Sequence, residues 1–156
     1  MRRHHHIAAV ALASAAAATS ALILTAGGDA HPARTLALRN TGLDIHQVDL
    51  PPLISGPSSP ESPGDELIAT SRVKGSAKGK RYLFCAVAKQ GASVETALYS
   101  CQVTYRLARG TIDAAGVGRV GGSKPVSMAV TGGSGAYSAA SGTITSHSGK
   151  DSIRLK

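Results

Sequence analysis

Cys85 and Cys101 are the residues of this chain whose types and spacing point to the most definite chemistry. They lack the Cys-x-x-Cys spacing of a redox site, and no ligand set for zinc accompanies them. In an oxidising compartment an isolated pair forms one structural disulfide. Closing a loop of this size is worth roughly 3 kcal/mol in the chain-entropy description. Tyr99 and Tyr105 share the parity of Cys101 along an alternating run. A buried tyrosine hydroxyl finds a partner and so can orient a bound molecule, although the same ring serves equally as core filling. Tyr137 is the only large side chain of the glycine-rich stretch Val130-Thr131-Gly132-Gly133-Ser134-Gly135-Ala136-Tyr137-Ser138-Ala139-Ala140-Ser141-Gly142. Three glycines within four residues there demand a sharp, irregular turn, and Tyr137 is expected to plug the end of whatever the flanking strands enclose.

The same stretch does not read as a phosphate loop, because it has no Gly-Lys-Ser/Thr end and no helical period behind it. His46 and His147 have the right chemistry for acid–base work near neutral pH, but each sits among polar residues on an alternating run and reads as exposed. Ser127 and Asp113 have no Gly-x-Ser-x-Gly elbow around them, which argues against a hydrolytic triad.

The compartment follows from the first thirty residues. Met1-Arg2-Arg3 carries charge, Ile7 to Leu24 is an uncharged Ala/Leu/Ile-rich run, and Gly28-Asp29-Ala30 fits a small-x-Ala cleavage pattern. That order of parts is expected of a secretory signal peptide over residues 1–30, leaving residues 31–156 as a single secreted domain. Alanine dominates the apolar run, which argues against a membrane anchor. His4-His5-His6 would leave with the leader. The formal net charge is +8, with dispersed basic side chains apart from Lys74, Lys78, Lys80 and Arg81. With no Trp and one Phe for base stacking, nucleic acid is not an expected partner. Contact with an anionic cell surface fits the charge, as does a merely solvated basic face.

The elements that must position these residues read as strands. Thr35 to Leu38 and Leu43 to Leu50 are expected as one interrupted strand, and a Pro/Ser-rich loop over 51–64, with five prolines, follows it. Further strands are expected over 65–73, 80–88, 97–107, 111–117, 124–131, 142–147 and 151–156. Short strands at this even spacing, without a helical period, point to an all-β barrel or sandwich. A Cys85–Cys101 pair in an antiparallel hairpin places Leu83 opposite Val103, Val87 opposite Tyr99 and Arg81 opposite Tyr105. A turn at Arg109-Gly110 would then set Leu107 opposite Ile112 and Tyr105 opposite Ala114.

Taken in order, Gly64-Asp65-Glu66-Leu67, Gly79-Lys80-Arg81, Cys85, Cys101, Tyr105-Arg106-Leu107, Gly110-Thr111-Ile112, the Val130–Tyr137 element and Ala140-Ser141-Gly142 resemble bacterial secreted members of the dirigent and allene oxide cyclase barrel superfamily. The resemblance covers roughly residues 35–156, and its most specific part is Gly-Gly-Thr-Gly-x-Tyr/Phe-x-x-Ala-x-Gly, with Ser134 in place of the Thr. It implies an eight-stranded antiparallel β-barrel with a hydrophobic lumen, no cofactor and no metal, and assembly as a homotrimer or homodimer. It further implies a small apolar or phenolic ligand, whose cyclisation or coupling the barrel steers by holding one conformation. The family's acidic residue on the first strand is matched by Asp49, which joins Tyr99 and Tyr105 as a catalytic candidate. Tyr99, Tyr105 and Tyr137 are the ligand-binding candidates. Ser141 stands where dirigent-like chains commonly carry Arg, so a charged group expected at the pocket is missing there. The alternative is a non-catalytic secreted module for ligand binding or cell-surface interaction. An open lumen with converging polar groups favours chemistry, and a filled lumen favours a structural or surface role.

Overall fold

Eight strands follow one another around a closed ring, each hydrogen-bonded to its neighbours in sequence, and the last returns to the first. The structure is a computed structural model describing residues 34–49, 62–93, 95–120 and 123–156. The strands are β1 (Arg34–Val48), β2 (Glu66–Gly75), β3 (Gly79–Lys89), β4 (Leu98–Leu107), β5 (Gly110–Gly118), β6 (Val126–Gly133), β7 (Gly142–His147) and β8 (Lys150–Leu155). Every pairing is antiparallel. The chain is thus an all-β, eight-stranded antiparallel β-barrel, and closure leaves none of these strands with a free edge. The expected leader and residues 51–61 of the Pro/Ser-rich segment lie outside the described residues. Among the described residues no helix is long and apolar enough to cross a membrane.

β1 is long because it serves two partners. Arg34–Arg39 pairs with β8, and Leu38–Val48 pairs with β2. The interruption expected between its two apolar runs is a bulge between Thr41 and Asp44, where Gly42 takes φ +61°. This shared strand closes the barrel.

Alternation decides what faces inward. Leu67, Ala69, Ser71 and Val73 on β2 are buried, as are Arg81, Leu83, Cys85 and Val87 on β3. On β4 the inward row is Tyr99, Cys101, Val103, Tyr105 and Leu107, and on β8 it is Asp151, Ile153 and Leu155. The expected β3–β4 register holds at every stated pair, including Cys85 opposite Cys101, and the two cysteines form a disulfide. The expected β4–β5 register does not hold. Leu107 lies opposite Gly110, Tyr105 opposite Ile112 and Val103 opposite Ala114. The connection is a two-residue turn, Ala108-Arg109, with Gly110 already in the ladder, so the pairing is displaced by two residues. Because side chains alternate with a period of two, the displacement leaves every inward residue inward.

The glycine-rich stretch ends β6 and forms a single 3₁₀ turn, Gly135–Tyr137, before β7. It is fastened to the β4–β5 hairpin. The Ser134 amide donates to the Thr111 carbonyl at 3.0 Å, and the Ala136 amide donates to the Arg109 carbonyl at 2.8 Å. The Ser134 hydroxyl accepts from the Thr111 amide at 3.2 Å. Gly110, at φ +140°, must be glycine on two counts: its backbone is in the region L side chains avoid, and a Cβ there would run into the Ser134 carbonyl. Tyr137 is buried beside this turn.

Candidate functional site

The inward rows do not fill the lumen. At the end where β1 runs past Asn40, they enclose a cavity of about 370 Å³. Leu67, Ala69, Leu83, Val126 and Met128 form its apolar wall, and Cys101 brings one half of the disulfide to its surface. Ala69 is a short side chain in the inward row and borders the open space, whereas the room that Gly116 leaves is taken by Met128. A Cβ on Gly116 would come within 2.9 Å of the Met128 side chain. The mouth is framed by Leu43 and Ile45, both about half exposed, by Arg119 and Lys124 on the β5–β6 connection, and by His147 at the β7–β8 turn.

The floor is polar. Asp151, at 2% exposure, is the centre of a network that reaches six strands. Its Oδ2 accepts from the Tyr105 hydroxyl at 2.8 Å and from the Asn40 side-chain amide at 2.9 Å. Its Oδ1 accepts from the Ser146 hydroxyl at 2.6 Å. The Asn40 side-chain oxygen in turn accepts from Ser71 at 3.3 Å. Arg81 Nε lies 3.6 Å from Asp151 Oδ2, an ion pair beyond hydrogen-bonding distance, and this Nε is buried without a hydrogen bond. Asn40, Arg81 and Ser146 all reach the cavity. The carboxylate behind them is occupied by its donors and is poorly placed to take a proton from a bound molecule. The arrangement favours holding and orienting a ligand over acid–base chemistry.

Tyr105 is fully buried, and burial is the main reason its hydroxyl titrates well above the ordinary tyrosine value of 10.0. The Asp151 charge raises it further, and Arg81 opposes that in part. A raised folded-state value means that the stabilisation is complete below the unfolded tyrosine's ordinary value and declines as pH rises through and beyond it. The protein is therefore expected to lose stability above about pH 10. In an ultraviolet titration the phenolate signal of Tyr105 should appear only together with unfolding. Tyr105→Phe should remove that component of the alkaline sensitivity; equal sensitivity in the variant would mean that the network is not its source.

The structure separates the residues singled out in the sequence. Tyr105 lies behind the floor, bonded to Asp151. Tyr99 is buried on β4, two residues from Cys101. Tyr137 is buried at the opposite end, near Leu155. None of the three is among the described residues lining the cavity. Asp49 is exposed just past the end of β1, and Ser141 is exposed before β7. His46 is exposed, with its Nε2 3.4 Å from Asp44, whereas His147, also exposed, stands at the cavity mouth. Sequence reasoning passed over Arg81, Asn40, Ser146 and Asp151. Parity was the available signal: Arg81 is in step with Leu83 and Cys85, and Asp151 is in step with Ile153 and Leu155.

Fold and site together define a closed β-barrel whose lumen is open at one end and floored by a buried ion pair. Solved structures of this shape exist. Pyocyanin demethylase superposes with a TM-score of 0.58 at 22% sequence identity, over 80% of this chain and 98% of its own, a likeness of fold. No family model and no curated protein matches the chain.

Proposed function

We propose that this is a secreted barrel of the dirigent and allene oxide cyclase type, and that its lumen binds a small apolar or phenolic molecule and holds it in one orientation for cyclisation or coupling. The observation that carries the reading is the cavity of about 370 Å³ with an apolar wall and a polar floor. A lumen built only for stability would be filled at crystal-like density. The name of a structural neighbour, pyocyanin demethylase, indicates that a barrel of this shape handles a small molecule. Fold likeness does not transfer an activity; the site supports binding and orientation, and cyclisation or coupling is what the sequence resemblance implies. Orientation lowers a barrier by removing unproductive conformers and needs no group that takes or gives a proton.

The test uses 2-naphthol, a phenol small enough for the cavity. Calorimetry should show one saturable site, and Val126→Trp at the wall should abolish it while the protein stays folded. Absence of binding, or binding that survives the tryptophan, would overturn the reading. Steering is read separately. One-electron oxidation couples 2-naphthol to an axially chiral binaphthol, so an enantiomeric excess in the presence of the barrel is the expected result. A racemic product with intact binding would favour the non-catalytic module.

A further inference from the structure

We infer that the molecule held in the lumen is an organic acid, an apolar body carrying one carboxylate, with the carboxylate seated against Arg81. The inference rests on the lumen-binding reading above and adds the charge and placement of the ligand. Among the described residues lining the cavity there are three permanent cations, Arg81, Arg119 and Lys124, and no Asp or Glu. Of these, only Arg81 is buried, its side chain 9% exposed.

Donor accounting singles out the same residue. At the floor, Asn40 and Ser146 have each committed a donor to Asp151. The Arg81 guanidinium carries five N–H donors in a planar fork. The Tyr105 hydroxyl takes part of the fork, Asp151 at 3.6 Å is outside hydrogen-bonding reach, and the Nε is an orphaned buried donor. A buried guanidinium with unspent donors is costly unless something accepts them. A carboxylate accepts two at once in the geometry the fork presents. Asp151 cannot be that acceptor in full, because its position is fixed by Tyr105, Asn40 and Ser146. It instead holds the guanidinium in place, so a bound acid meets a fixed cation. Arg119 and Lys124 at the mouth add a positive field on the entry path. The apolar remainder of the ligand would lie against Leu67, Leu83 and Met128.

The test compares 2-naphthoate with 2-naphthamide, nearly equal in shape and differing in charge, by calorimetry at neutral pH. Naphthoate is expected to bind roughly tenfold or more tightly, since charge-assisted bonds to a buried cation are the strong kind. Arg81→Met removes the cation but leaves Asp151 without its counter-charge, so Arg81→Met/Asp151→Asn serves as the variant least exposed to misfolding. In it the preference for naphthoate over naphthamide should vanish, the two ligands binding alike. Equal binding of acid and amide by the unmodified protein would overturn this inference and leave the lumen-binding reading standing. Failure of both ligands, and of 2-naphthol, would overturn the reading beneath it. A preference that survives the double variant but disappears in Arg119→Gln/Lys124→Gln would place the acid at the mouth and overturn the seat at Arg81.

Discussion

Asp151→Ala is expected to lower folding stability by about 3–5 kcal/mol, the cost of breaking a buried ion pair from one side. Three consequences combine. Arg81, 91% of whose side chain is out of solvent, loses the one acidic group paired with it among the described residues. The hydroxyls of Tyr105 and Ser146 and the amide of Asn40 lose their acceptor. A small void opens where β7, β8 and β1 meet. A natural domain has about 5–15 kcal/mol in all, so the variant should sit near its unfolding threshold. Urea unfolding of both proteins, with midpoint and slope compared, measures the loss.

The network's role in closure sharpens this expectation. Asn40 is on β1, Ser71 on β2, Arg81 on β3, Tyr105 on β4, Ser146 on β7 and Asp151 on β8. One carboxylate therefore ties the closing seam, β8 against β1, to strands on the far side of the lumen. A double-mutant cycle separates the pair from its surroundings. Arg81→Met/Asp151→Ala should be less destabilised than Asp151→Ala alone, because the uncompensated charge has gone with its partner. Strict additivity, or a loss below about 1 kcal/mol for Asp151→Ala, would show that Arg81 finds enough water through the cavity to do without the carboxylate.

Much of the barrel was legible because alternation is a strong signal where one face is buried and the other wet. With Cys85 opposite Cys101, the facing of Arg81, Leu83, Val87, Tyr99, Val103 and Tyr105 followed, and the structure agrees. The β4–β5 register slipped because turn length is a local matter. Ala108-Arg109-Gly110 supports a turn of two or three residues, and parity cannot separate pairings two apart. The β1–β8 seam joins Arg34–Arg39 to Lys150–Leu155 across the whole domain, and no local pattern encodes such a contact. The same holds for the floor of the cavity. Arg81 read as part of a basic run and Asp151 as the start of a short terminal strand, so their pairing became visible only when the ring closed. Whether the lumen was open or filled depended on the summed volume of inward residues from several strands, which pattern reasoning does not weigh.

Removing the disulfide, as Cys85→Ala/Cys101→Ala, is expected to lower stability by about 3 kcal/mol in the chain-entropy description for a loop of this length. The partners are 16 residues apart and sit directly opposite each other in the β3–β4 ladder. The hydrogen bonds of that ladder do not depend on the covalent link. Most of the effect should therefore act through the unfolded chain, which gains conformations when the loop opens. A lower urea midpoint, with a steeper slope from a more expanded unfolded state and an unchanged near-ultraviolet spectrum below the transition, is the expected pattern. Both cysteines are buried from the outside and Cys101 borders the cavity, so a reductant too bulky to enter the cavity should leave the folded protein oxidised and attack only in denaturant; rapid reduction by it under native conditions would mean that the barrel opens at β3–β4 far more readily than its packing implies. Cys101 also lines the cavity, so the alanine pair widens the pocket as well as cutting the link. Ligand affinity and stability should then respond separately: truncation changes the fit of the apolar body in the folded state, while loss of the crosslink changes the midpoint without a ligand. A variant that kept its midpoint would place the contribution of the disulfide in the shape of the lumen and not in the entropy of the chain.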